Sequence, residues 1–83
     1  TFARIKAPDV KRCYLRNVIK KALSKISIPD NIEIAVDIDG NLPGISMDKS
    51  QMVLVFSNII LNAVQAMPNG GSLTIKGSEK KDL

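Results

Sequence analysis

The stretch MVLVFSNIILNAVQAM, residues 52–67, constrains the fold more than any other part of the chain. Twelve of its sixteen residues are apolar, and it is too long for an ordinary strand, so it predicts a helix buried over most of its circumference. Asp48, followed three residues later by Gln51, forms a capping pair that starts this helix at Lys49. Pro68 and the Asn-Gly-Gly that follows stop it after Met67. A chain of 83 residues is at most one domain and has only a modest core in which to bury such an element.

The rest of the chain supplies what that helix packs against. Apolar residues at Leu15, Val18, Ile19, Ala22, Leu23 and Ile26 have the spacing of an amphipathic helix over 15–26, which Pro29 ends. In IEIAVDID, Ile32, Ile34, Val36 and Ile38 alternate with Glu33, Ala35, Asp37 and Asp39, the period-two signature of a strand with one buried face. GNLPG reads as a turn, ISMD as a short strand, and SLTIKG, with Leu73 and Ile75 alternating with Thr74 and Lys76, as a second full strand. The order is helix, strand, short strand, helix, strand, with no repeat. This predicts an α+β, two-layer sandwich in which two helices cover one face of a small mixed sheet. Residues 1–9, TFARIKAPD, lack periodicity and read as a linker from something upstream, with the domain occupying 10–83.

Composition narrows the function classes. Hydrophobic residues make up 45% of the chain, with one Tyr, two Phe and no Trp, so an aliphatic core is expected in a globular rather than disordered chain. Cys13 is the single cysteine and excludes an internal disulfide. With no cationic, apolar leader at the start, the expected setting is the reducing cytoplasm. The net charge of +4 is uneven: residues 1–25 hold eight basic residues against Asp9, whereas 26–50 hold Lys49 against five acids. No aromatic residues interleave with these cations in the manner of a nucleic-acid surface, so a solvated face is the better reading and no nucleic-acid partner is expected.

The second helix carries the chemically unusual feature. At about 100° per residue, Gln51, Asn58, Asn62 and Gln65 fall within an arc roughly 60° wide. Asn disfavours helix interiors, and an amide set against an apolar sheet is costly without a partner. A solvated edge usually draws Lys and Glu, and neither occurs between Gln51 and Gln65. A transmembrane helix would not be interrupted four times by polar residues and then end in a turn before a strand. From spacing alone, a polar network in the core and a ligand site both remain open.

The segment DKSQMVLVFSNIILNAVQAMPNGGSLTI resembles the N-box region of the ATP-binding catalytic domain of sensor histidine kinases, in the GHKL ATPase superfamily. In that pattern an Asp and a Gln precede the apolar run, then come N-x-x-x-N-A, an acidic or amide residue with Ala-Met, and a glycine-rich turn into a strand. FARIKAP is similar to the connection from the dimerisation and phosphotransfer helices of these kinases, and residues 15–26 to the first helix of the catalytic domain. The resemblance implies a GHKL-like sandwich of which this chain is the first part, truncated before the adenine-binding and lid motifs. It further implies ATP and Mg²⁺ as cofactors, with Asn62 giving its side-chain oxygen to the metal and Asn58 facing the phosphates. Gln65 stands where some of these kinases carry a Lys or Arg that reaches the phosphates.

Gyrase-type relatives carry Glu at the position of Asn58, where it activates water; an amide has no such capacity. The resemblance thus favours phosphoryl transfer to a protein histidine over hydrolysis. The chain has no His, so the acceptor, in the phosphotransfer domain of a homodimeric parent, and a response regulator are the implied partners. A truncated sheet with an open edge is also expected to self-associate. The alternative class is a non-catalytic ATPase-like scaffold or interaction module, using the basic first helix for nucleic acid.

Overall fold

The computed structural model describes residues 7–79. Residues 1–6 of the expected linker lie outside the described residues, and 7–9 run without regular structure into the first strand. The elements are β1 (Val10–Cys13), α1 (Leu15–Ser24), β2 (Ile32–Ile38), β3 (Ile45–Asp48), α2 (Lys49–Gln65) and β4 (Gly71–Gly77). This is a small α+β fold of two helices and two small sheets.

The helices form for local reasons. In α1 the i, i+3, i+4, i+7 pattern buries Val18, Ile19 and Ala22 and leaves Arg16, Lys20 and Lys21 exposed. The cap of α2 is made as its sequence predicts: the carboxylate of Asp48 accepts the Gln51 N–H at 3.3 Å and also the Asp9 N–H at 2.9 Å. At the other end the chain turns through Gly70, whose φ of 93° lies in the region that favours glycine. A Cβ there would sit 2.7 Å from the Asn31 carbonyl oxygen. The N–H groups of Gly70 and Gly71 donate to the carbonyls of Met67 and Asn31 at 3.1 Å each, so this glycine pair is a turn and not a phosphate cradle. Both helices end two residues before their apolar pattern does, within the usual latitude of helix boundaries.

The expected single mixed sheet is corrected to two separate pairs. β2 and β4 are parallel, in a register that aligns Ile34 with Leu73 and Val36 with Ile75. The crossover between them contains α2. β3 pairs instead with β1, antiparallel, from Val10 opposite Asp48 to Cys13 opposite Ile45. The intervening loop redirects the chain: Asp39 Oδ1 accepts the Asn41 N–H at 3.0 Å, and Pro43 offers no N–H for a ladder. Gly44 lets the Arg12 side chain pass where a Cβ would come within 2.6 Å of it. β1 went unread because three of its four residues, Val10, Lys11 and Arg12, are exposed and Cys13 alone turns inward, which leaves no alternation to detect.

The core joins these parts. Val18 and Ala22 of α1 meet Val53, Ile60 and Val64 of α2, with Cys13 and Ile32 at its margins. Ser57 is buried where the helices meet, and its hydroxyl donates to the Val53 carbonyl at 2.7 Å and lies 3.5 Å from that of Ala22. Arg16 fastens the start of α1 to the end of β2 by donating to the Ile38 carbonyl at 2.8 Å. Among the described residues no helix is long and apolar enough to cross a membrane.

Candidate functional site

Seventeen residues give α2 nearly five turns, at about 3.6 residues per turn, and its surface divides into strips. Val53, Ser57, Ile60 and Val64 form the buried strip. Met52, Phe56 and Ala63 are half-buried beside it. On the far side lie Gln51, Asn58, Asn62 and Gln65, all exposed. The structure therefore brings the four amides into one outward-facing line and removes the reading in which they build a polar network inside the core.

The line is not flanked by ordinary solvated residues. Leu54 and Ile59, 62% and 56% exposed, border it on opposite sides, with Val55 also exposed. In a helix expected to be buried over most of its circumference, Ile59 is thus a surface residue; its neighbour Ile60 takes the buried place. A helix apolar all round does not reveal which residues its neighbours will cover. Among the described residues the side chains of Asn58, Asn62 and Gln65 make no hydrogen bond. Their donors and acceptors are open to a ligand at no cost to any internal contact.

The donor set suits one kind of metal better than others. No group of three or more His, Cys, Asp or Glu capable of holding a metal ion occurs among the described residues, so a zinc-type or calcium-type cage is not formed by them. A hard ion that retains water and takes one or two protein oxygens, completing its shell from phosphate, fits exposed amide oxygens. Asn58 and Asn62 are one turn apart, about 6 Å along the axis, on a rigid element that fixes their direction. Gln65 continues the line toward the turn at Gly70.

Comparison with known proteins agrees with the resemblance. The chain is 39% identical over 56 residues to the sensory histidine kinase/phosphatase NtrB of Salmonella typhimurium, a match covering 66% of this chain and 16% of that protein. It is 35% identical over 52 residues to sporulation kinase E of Bacillus subtilis, covering 60% of this chain and 7% of the relative. With the adaptive-response sensory kinase SasA of Parasynechococcus marenigrum the identity is 36% over 53 residues, covering 64% and 14%. The chain thus spans only a small part of the length of the relatives it matches. No family model and no solved structure matches it.

Proposed function

From the premise that this chain is homologous to a segment of sensor histidine kinases, we propose that it is the phosphate- and metal-holding part of an ATP-binding catalytic domain of GHKL type. The supporting observation is the line of unpartnered, exposed amides on a helix that is mostly apolar. In this reading Asn62 gives its side-chain oxygen to Mg²⁺, Asn58 faces the phosphates, and Gln65 offers an uncharged amide further along. The metal, when bound, neutralises and orients the phosphates of ATP. The work of the chain is positional: α2 is held by its buried strip, so the amides present a fixed line to the nucleotide.

Asn58 has no basicity with which to draw a proton from water. The site is therefore suited to delivering the γ-phosphoryl group to a histidine on another domain of the parent dimer, for relay to a response regulator, rather than to hydrolysis. Alone, the chain presents the amides on an open helix surface, without the enclosure from which nucleotide sites draw most of their affinity. Calorimetry is expected to find Mg-ATP binding weak or absent for this segment.

The decisive experiment uses the parent protein. Asn62→Ala is expected to lower autophosphorylation by at least about tenfold, a loss of the order expected when a preorganised electrostatic contact is removed, while changing the midpoint of thermal unfolding little. Full activity per folded molecule in this variant would overturn the metal-site assignment. The nucleic-acid alternative gains nothing from the fold. Arg16 and Lys20 lie on one flank of α1 and Lys21 and Lys25 on the other, roughly 140° apart, so these cations make no single stripe for a phosphate backbone to follow.

A further inference from the structure

A groove runs between the C-terminal turn of α1 and the first turns of α2. It consists of two adjoining cavities of about 330 and 400 Å³ that share Lys25, Ser50 and Val53. Lys21, Lys25 and Lys49 stand around one cavity, and Ile26, Val53 and Leu54 line the other. None of the three lysines forms an ion pair among the described residues, where the pair present is Lys11 with Asp9 at 3.4 Å. Asp48, the acid next to Lys49 in sequence, lines a different cavity with Asp9 and Gln51, which meets the groove at Ser50.

Three lysines and no acidic residue line this groove. Lys49 occupies the first position of α2, where the helix dipole is positive, and the first turn contains no acidic residue. The carboxylate at this helix end is that of the N-cap residue Asp48, which accepts the Gln51 and Asp9 N–H groups. Lys21 and Lys25, at the end of α1, bring two more positive charges to the same opening. Next to this cationic rim is an apolar floor, and Leu54 on it is 62% exposed.

We propose that this groove docks an acidic amphipathic segment of a protein partner, with carboxylates meeting Lys21, Lys25 and Lys49 and an aliphatic side chain resting on Val53 and Leu54. The charge complementarity selects an acidic ligand, and the floor selects one with an apolar side. A nucleic-acid backbone or a free phosphate would use the rim and leave the floor uncovered. The surface is separate from the amide line and does not depend on the nucleotide-site reading.

The test is fluorescence anisotropy on the whole chain, with a labelled amphipathic helical peptide of Glu and Leu as the probe. Replacing the rim by Lys21→Ala, Lys25→Ala and Lys49→Ala together is expected to weaken binding by about tenfold, given the modest value of each exposed pair. Leu54→Ser is expected to weaken it by about threefold. The three lysines and Leu54 are exposed, and circular dichroism checks that the variants keep their helices. A control triple, Lys11→Ala, Lys20→Ala and Lys76→Ala, removes the same charge elsewhere and is expected to change affinity less than about twofold. Equal losses in the two triples would reduce the binding to general charge attraction and overturn the proposal. So would unchanged affinity without the rim lysines. Duplex DNA or phosphatidylserine vesicles that bind as tightly as the peptide, and lose binding in the rim variant, would give the groove to another class of partner.

Discussion

The two helices lie side by side in the same core and meet opposite demands. α1 follows a simple rule: its apolar side is buried at Val18, Ile19 and Ala22, and its cations face water. α2 buries Val53, Ser57, Ile60 and Val64 against this fold, yet keeps Leu54, Val55 and Ile59 exposed on either side of four amides. The apolar side of α1 is accounted for by stability alone. That of α2 is not, because an exposed face built for solubility would hold charges rather than aliphatics and Asn. The difference separates a helix whose apolar residues all serve its own core from one that also keeps apolar residues on its outer face.

The comparison breaks first if neighbouring isoleucines of α2 behave alike. Ile60→Ala, at a site 3% exposed, is expected to cost about 2–5 kcal/mol in urea denaturation, a large share of what a small domain possesses. Ile59→Ala, at a site 56% exposed, is expected to cost less than about 1 kcal/mol. Equal costs would mean that both isoleucines are packed and that the outer face is not open.

A smaller effect separates how the two helices begin. Tyr14 gives α1 no side-chain cap, whereas Asp48 caps α2. Asp48→Ala is expected to lower stability by about 1 kcal/mol, and amide exchange at Gln51 and Asp9, whose N–H groups it accepts, is expected to quicken. Unchanged exchange at both would show that water replaces the cap without loss.

The third test leaves stability almost untouched. Exposed Leu54 and Ile59, with the two-stranded sheets, favour association of one copy with another. Sedimentation is expected to find concentration-dependent association of the chain, reduced in Leu54→Ser/Ile59→Ser. A monomer at the highest attainable concentration would show that the outer face of α2 has no affinity for its own kind.

Much of this is legible in the amino-acid sequence. Periodicity located both helices and the two long strands, and the Asp48 cap and the glycine turn marked where α2 starts and stops, because helices, caps and turns are made by residues close in sequence. The amide line was legible for the same reason: residues three, four and seven apart share a helix face whatever surrounds it. The resemblance to sensor kinases rests on that same stretch.

Contacts between distant residues were not legible. That β3 joins β1 rather than β2 depends on a basic strand with one inward side chain and on a loop that carries the chain away, neither of which leaves a periodic mark. That Ile60 is buried and Ile59 exposed depends on where α1 lies, and a helix apolar on nearly every side is compatible with several answers. The groove of Lys21, Lys25 and Lys49 is likewise a product of packing, since residues more than twenty positions apart acquire a common electrostatic field only when α1 is docked on α2. The sequence determined the type of every element except β1 and, to within two residues, where each helix stops; the tertiary structure decided which faces meet, because burial is a property of pairs of surfaces that only the folded chain brings together.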